Sequence, residues 1–131
     1  MSVLRRALAA CATPITPIDE NGMRGFRRQY CPGSDFVSFE GHFPGHPVLP
    51  AVVQILMAEI TISQATGTDR RTEGIRNAKF LRPVPPGMCI VCLVTPHDDS
   101  GNLWDCRLYA GNALAASFQW LGIASQADNT P

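Results

Sequence analysis

The chain of 131 residues carries 11 basic and 11 acidic side chains, and 45% of its residues are hydrophobic. This length favours a single domain, which we expect to span residues 1–131 with a loose tail at 125–131. The balanced charge provides no general attraction to nucleic acid or to an anionic membrane surface, so neither is an expected partner.

The first third of the chain predicts one short helix followed by extended segments. Residues 3–11 (VLRRALAAC) can form an amphipathic helix, and residues 13–22 (TPITPIDENG) are Pro-punctuated and end in an Asn-Gly turn. Residues 23–33 and 35–41 alternate enough for two strands, which are separated by Pro32-Gly33.

A long apolar helix is predicted next, over residues 51–66. Pro50 suits a helix start, and Gly67 suits the position just past a helix end. Apolar side chains cover nearly every face of this segment, which predicts a helix buried on all sides.

The last half of the chain predicts strands. The four segments are 74–84 (GIRNAKFLRPV), 88–96 (MCIVCLVTP), 102–110 (NLWDCRLYA) and 113–124 (ALAASFQWLGIA). Gly111-Asn112 is a two-residue hairpin signal.

One helix and a run of antiparallel strands indicate an α+β fold in which a sheet wraps around the helix. Because a single sheet covers only one side of such a helix, and its edges stay open, we also expect a dimer.

Five cysteines are scattered along the chain, unlike the dense and even set of a secreted disulfide framework. Cys89 and Cys92 have the C-x-x-C spacing, but residues three apart on a strand point to opposite faces, so a zinc or redox role is not expected. We interpret the cysteines as small buried hydrophobic residues. No apolar run suits a signal peptide or a membrane span, and a cytoplasmic protein with no metal and no cofactor is the expectation.

The stretch GHFPGHPVLPAVV, residues 41–53, resembles the motif of the hot-dog-fold 3-hydroxyacyl-acyl carrier protein dehydratases, which act in fatty-acid and related acyl-chain synthesis. A second stretch, GIRNAKFLRPVPPG at residues 74–87, is similar to a strand of the same family. The residues VVQ, 52–54, also resemble the branch linked to aryl-polyene-type synthesis. The resemblance implies a hot-dog fold, a homodimer and an acyl thioester substrate on acyl carrier protein or coenzyme A.

The resemblance assigns roles to individual residues. His42 matches the catalytic histidine, which removes a proton from the carbon beside the thioester carbonyl, and an imidazole suits that task near neutral pH. The backbone N–H of Ala51 matches the group that holds the thioester oxygen, and a helix N-terminus independently favours a developing enolate. Phe43 in the same loop is expected to contact the substrate.

The catalytic acid of the family is missing from its expected position. The family carries Glu or Asp fourteen residues after the histidine, contributed by the partner chain, and Leu56 occupies that position here. Glu59 is the nearest acid, about 60° round the helix and about 4.5 Å further along. Glu59 either acts as the acid or has no chemical role, facing a water-lined pocket or pairing with an arginine. Gln54 can bind a hydroxyl group but cannot protonate it.

The remaining polar residues have plainer interpretations. His46 is a rim residue, and His97 is a solvated turn residue. A group of cations follows the helix, and it either attracts an acidic carrier protein or forms a solvated surface: Arg70, Arg71, Arg76, Lys79 and Arg82.

Three functions remain open from the sequence. The first is a dehydratase that uses His42 as the base, with Glu59 or water in place of the usual acid. The second is a non-catalytic acyl-thioester-binding subunit that partners a competent dehydratase, with which it can form a mixed dimer. The third is a hot-dog thioesterase.

Overall fold

The computed structural model describes residues 3–20, 22–33, 36, 48–85 and 87–124. Its helices and strands, in chain order, are α1 (Val3–Ala10), β1 (Thr16–Glu20), β2 (Met23–Tyr30), α2 (Ala51–Thr66), β3 (Arg70–Phe80), β4 (Ile90–Pro96), β5 (Leu103–Ala110) and β6 (Ala113–Ala124). The strand predicted over 35–41 lies outside the described residues except for Phe36. The tail at 125–131 lies outside them entirely.

Within the described ranges the strands form one six-stranded antiparallel sheet in the order β1-β2-β4-β5-β6-β3. Helix α2 packs against β2, β3, β4 and β6, so the α+β layout predicted from the sequence is confirmed. Alternate residues of β4 and β5 point towards the helix and are buried. The largest fully buried side chains are Trp120, Tyr30, Leu8, Met57, Ile62 and Ile90.

Helix α2 begins and ends where the sequence predicts. Pro50 is its N-cap, with an extended backbone, and Gly67 is its C-cap at φ 69°. The left-handed conformation of Gly67 costs little because glycine has no Cβ, and its N–H donates to the Gln64 carbonyl at 3.3 Å. Pro50 therefore sets where the first turn of the helix begins, and Gly67 sets where the last turn ends.

The helix is not buried on every side in the single chain. Val52 is 66% exposed, and Ile55 and Leu56 on the same face are only half-buried. Strand β3 is an edge strand of the sheet, and Phe80 at its end is also exposed. In the single chain, the N-terminal part of α2 and the end of β3 therefore both carry exposed apolar side chains.

Two strands at the edges of the sheet differ from the prediction. The Pro-punctuated segment forms β1, and Pro17 is tolerated because β1 is an edge strand. Strand β3 begins at Arg70 instead of Gly74, and its register shifts twice, with Asn77 at φ 54° in the second shift. Because β3 is mostly exposed, its sequence lacks the alternation of apolar and polar residues that marks a half-buried strand.

The interpretation of all five cysteines as buried hydrophobic residues is wrong for two of them. Cys31 and Cys89 form a disulfide, although they are 58 residues apart in the sequence. They follow β2 and precede β4, next to the pair Tyr30 and Ile90, which places them opposite each other. Cys92 and Cys106 are free and buried as expected, whereas Cys11 is free and half-buried.

Reduction of the disulfide is expected to lower the free energy of unfolding by about 2–4 kcal/mol, because the cross-link restricts the unfolded chain. Urea denaturation with and without dithiothreitol measures this change. A Cys31→Ala/Cys89→Ala variant is the control and should not respond to dithiothreitol. Equal stability of the natural chain under both conditions would contradict the assignment.

Candidate functional site

A pocket of about 210 Å³ opens at the N-terminal end of α2. Its lining comes from the helix start, from the residues just before the helix, and from the end of β3 with the residues that follow it. The lining residues are Leu49, Ala51, Gln54, Phe80, Leu81, Arg82 and Pro83. Both stretches on which the family resemblance rests therefore contribute to one cavity.

Backbone hydrogen bonds hold the walls of this pocket in place. The Leu49 N–H donates to the Val84 carbonyl at 2.8 Å, which ties the helix start to the segment after β3. The Leu81 N–H donates to the Ala115 carbonyl at 2.8 Å, which ties that segment to β6. The pocket is thus built on the sheet and does not depend on side-chain packing alone.

Ala51 places the positive end of the helix dipole at the pocket. It is the first residue of α2 and is exposed, and its N–H precedes the first hydrogen bonds of the helix, in which the Val53 and Gln54 N–H groups donate to the Pro50 carbonyl at 3.1 and 3.3 Å. N–H groups at a helix N-terminus stabilise an anionic oxygen. Ala51 therefore lies at a helix N-terminus beside the pocket, and its role as the oxyanion donor stays a prediction.

Gln54 lies one helical turn further on and also lines the pocket. Its side chain is only 4% exposed, and its Nε2 donates to the Leu49 carbonyl at 3.2 Å. Its Oε1 is buried without a hydrogen-bond partner in the described part of the chain. The amide thus contributes an unused acceptor beside the cavity.

Glu59 is held by residues of its own chain. Its Oε1 accepts hydrogen bonds from the Thr72 N–H at 2.8 Å and from Thr72 Oγ1 at 2.9 Å. Its Oε2 forms an ion pair with the Arg5 guanidinium of α1. Trp120 Nε1 in turn donates to Thr72 Oγ1 at 2.7 Å. All these partners of Glu59 are donors, so the contacts suit a carboxylate that fastens α1 and β3 to α2.

The other predicted site residues fall into two groups. Leu56 is half-buried against the core. His42, Phe43 and His46 lie outside the described residues, so the roles assigned to the first two from the sequence stay predictions. The catalytic role of Glu59 also stays a prediction.

A second polar group is buried in the core behind the helix. Tyr30 OH shares a hydrogen bond with Thr61 Oγ1 at 2.8 Å and donates to the Met57 carbonyl at 3.2 Å. Burial raises the pKa of Tyr30 to about 12 and that of the Cys92 thiol to about 12, so both groups keep their protons. Cys92 is therefore an inert core residue, and Cys89 is in the disulfide, which leaves no dithiol in the C-x-x-C segment.

The predicted cation cluster divides into two parts. Arg70 is half-buried and donates to the Gly101 carbonyl at 2.9 Å and to Asn102 Oδ1 at 3.1 Å, so it stabilises the β4–β5 turn. Arg71, Arg76, Lys79 and Arg82 are exposed, and Arg82 lies at the pocket. Exposed His97, by contrast, is in a separate part of the sheet, where its Nδ1 lies 2.9 Å from Asp105 Oδ2.

The sequence reasoning missed part of the pocket wall. Phe80, Leu81 and Pro83 belong to the FLRPV stretch, whose similarity to the family was noted without a role for these residues. That similarity was the available signal for their place in the site.

No three His, Cys, Asp or Glu side chains within the described ranges are grouped closely enough to hold a metal ion. No helix in the described part of the chain is long and apolar enough to span a membrane.

Comparisons with known proteins agree with this geometry. The family model described as ApeI-like, ApeI dehydratase, matches residues 26–117. The 3-hydroxyacyl-[acyl-carrier-protein] dehydratase FabZ of Acidiphilium cryptum is 35% identical over 75 residues, which are 50% of this chain and 46% of the relative. FabZ of Granulibacter bethesdensis is 40% identical over 80 residues, 53% of this chain and 46% of the relative. The chain thus spans about half the length of the curated relatives it matches.

Solved structures show the same fold at low sequence identity. The dehydratase heterocomplex ApeI:P from Xenorhabdus doucetiae has a TM-score of 0.67 at 20% identity, covering 84% of this chain and 98% of that chain. The thioesterase HI1161 from Haemophilus influenzae has a TM-score of 0.59 at 20% identity, covering 91% and 81%. The antiparallel sheet around one long helix is therefore the hot-dog fold. The chain belongs to the ApeI-like dehydratase family.

Proposed function

We propose that the chain binds a 3-hydroxyacyl thioester, carried on acyl carrier protein or coenzyme A, at the N-terminus of α2 and takes part in removing water from it. The observation that carries the proposal is the pocket at Ala51, which lies within the segment matched by the family model. A dehydration assay with 3-hydroxybutyryl thioesters, read as formation of the 2-enoyl product, tests it. Release of free thiol from saturated acyl thioesters would indicate a thioesterase instead.

In the proposed reaction His42 takes a proton from the carbon next to the thioester carbonyl. The electron pair of that C–H bond forms an enolate, whose oxygen accepts a hydrogen bond from the Ala51 N–H. The pair then forms the C2–C3 double bond, and the hydroxyl leaves C3. Phe43 is proposed to contact the acyl chain beside His42. The hydroxyl needs a proton to leave as water, and this step requires an acid.

The source of that acid separates two versions of the function. In the first, Glu59 or a water molecule delivers the proton. In the second, this chain supplies the base and the oxyanion donor while a partner dehydratase chain supplies the acid. The contacts of Glu59 with Arg5 and Thr72 favour the second version, because an acid at Glu59 would have to give up an ion pair. A structural neighbour that is a dehydratase heterocomplex supports a mixed dimer as well.

Association with a second hot-dog chain is proposed through the N-terminal part of α2 and the edge strand β3. Val52 and the end of β3 are exposed, and β3 has one unpaired edge in the described sheet. A homodimer is the simplest case and predicts a mass of twice 14.2 kDa in light scattering. If the purified chain is monomeric but forms a dimer when a second dehydratase-family chain is added, the mixed dimer is indicated.

A Leu56→Glu variant is expected to gain dehydratase activity of about tenfold or more, because it restores a carboxyl group at the position of the missing acid. Steady-state kinetics with a 3-hydroxybutyryl thioester measure the gain. Leu56→Gln is the matched control, since it adds polarity without an acidic proton. An equal response of both variants, or no gain in a folded Leu56→Glu variant, would contradict a site that lacks only its acid.

A cytoplasmic location is also proposed, and the Cys31–Cys89 disulfide provides the means to check it. Disulfides are rare in reducing compartments, so the Cys31–Cys89 bond of the structure argues against this location and makes it directly testable. Trapping of thiols in intact cells, followed by mass spectrometry, should find Cys31 and Cys89 reduced in a cytoplasmic protein. A fully oxidised pair would point to an oxidising compartment.

A further inference from the structure

The unused acceptor of Gln54 is the starting observation. The side chain is 4% exposed, and Oε1 has no partner among the residues that the structure describes. A buried amide oxygen without a hydrogen bond costs about 1–3 kcal/mol, so native proteins pair such atoms with protein, water or ligand. Gln54 lines the pocket, so a donor bound there can pair with Oε1 once the pocket wall, which leaves this atom less than 1 Å² of accessible surface, opens to admit it.

The orientation of the Gln54 amide is fixed by its other hydrogen bond. The group 3.2 Å from the Leu49 carbonyl must be Nε2, since a carbonyl only accepts. The atom left unpaired is therefore the oxygen, and it needs a donor. Another carbonyl, a carboxylate or an alkyl chain does not satisfy it.

The position of this acceptor relative to Ala51 limits which donor can reach it. Residues three apart on a helix are neighbours on its surface, and Ala51 and Gln54 both line the same cavity. If the Ala51 N–H holds the thioester oxygen, the acyl carbons nearest the carbonyl lie beside Gln54. A 3-hydroxyacyl chain has one donor there, the hydroxyl on C3, whereas saturated and 2-enoyl chains have none.

We propose that Gln54 Oε1 accepts a hydrogen bond from the 3-hydroxyl group of the acyl chain, and that this contact selects 3-hydroxyacyl thioesters over the 2-enoyl product. The inference rests on the proposed function, because it uses the thioester oxygen at Ala51 as its reference point. Gln54 orients the C3–O bond and has no proton to give. The contact therefore explains how a site without a carboxylate at Leu56 can still recognise the leaving hydroxyl.

The test compares two ligands that differ in one hydroxyl group. The two ligands are 3-hydroxybutyryl-pantetheine amide and butyryl-pantetheine amide. In both, an amide replaces the thioester, so the carbon next to the carbonyl is too weakly acidic to react. Titration calorimetry on the unmodified chain should show about fivefold to tenfold tighter binding of the hydroxylated ligand, the usual value of one hydrogen bond. Gln54→Met should bring the ratio of the two affinities close to one, because it lowers the affinity for the hydroxylated ligand alone.

Gln64→Met is the matched control, because Gln64 is an exposed glutamine on the same helix. It should keep the ratio of the unmodified chain. If Gln54→Met does not fold, as judged by circular dichroism, the ratio in the unmodified chain decides.

The outcomes separate this inference from the proposed function. Equal affinity of the unmodified chain for the two ligands overturns the inference alone. If Gln54→Met lowers the affinity for both ligands equally, Oε1 instead contacts an amide of the pantetheine arm. This result also overturns the inference. Failure of the unmodified chain to bind either ligand overturns the proposed function together with the inference.

Discussion

His42→Ala is expected to lower the rate of water loss from a 3-hydroxyacyl thioester by about 100-fold to 10,000-fold, which is the usual contribution of a general base. The physical reason is that no other group in the proposed mechanism removes the proton from the carbon beside the carbonyl. The kcat for 2-enoyl formation measures the loss, in the dimer that shows activity. Ligand affinity should change much less, because the Ala51 N–H and the pocket walls remain.

The control for this variant is His97→Ala. His97 is exposed and its Nδ1 lies 2.9 Å from Asp105 Oδ2, among residues that do not line the pocket at α2. This substitution should leave the rate within about twofold, since surface changes away from a site have small effects. A His42→Ala enzyme with nearly full activity would remove the assigned base and, with it, the proposed chemistry.

Glu59→Leu is expected to lower the free energy of unfolding by about 1–3 kcal/mol, because it removes the acceptor of the Thr72 N–H and one ion-pair partner of Arg5. Glu59 is 7% exposed, so water does not readily replace the lost carboxylate. Urea denaturation measures the change. If the residue is structural, the folded fraction of the variant should keep its activity per molecule.

Asp69→Asn provides a matched comparison for Glu59→Leu. Asp69 Oδ1 is 3.6 Å from Arg5 Nη2, and its side chain is 49% exposed. Loss of this exposed ion pair should cost no more than about 0.5 kcal/mol. If Glu59→Leu instead keeps its stability and loses its rate, Glu59 is the catalytic acid and the partner-chain alternative loses its main support.

The fold was predictable from the sequence wherever one face of an element is buried. Alternation in β4 and β5 and the caps of α2 indicated those elements because burial and backbone geometry restrict which residues can occupy them. Strand β3 was less predictable at its start, because its first four residues, RRTE, are all polar even though alternate ones are half-buried. The single-chain helix was predicted as buried throughout, whereas Val52 is exposed, because the composition of a helix does not show which side a partner would cover.

The candidate site was predictable where its residues are close in sequence. Ala51 belongs to the motif at residues 41–53, Gln54 is the polar residue nearest to Leu56 on the same helix, and both line the same cavity. The pairing of Glu59 with Arg5 joins residues 54 positions apart, and the disulfide joins residues 58 apart. Such contacts depend on how the helices and strands pack and on the register of the strands. Neither of these produces a local pattern in the sequence. The pairing of Glu59 with an arginine was an open alternative, but its partner was not identified.

The segment that contains His42 is fastened to the scaffold at both of its ends. Cys31 is bonded to Cys89 before the segment, and the Leu49 N–H is bonded to the Val84 carbonyl after it. Between these two points, Phe36 is 8% exposed and belongs to the hydrophobic core, so this part of the chain also contributes to the stability of the scaffold. An exchange of the stretch between Pro32 and Val48 with that of another family member must therefore keep an apolar residue at position 36, because this residue fills the core from within the exchanged stretch.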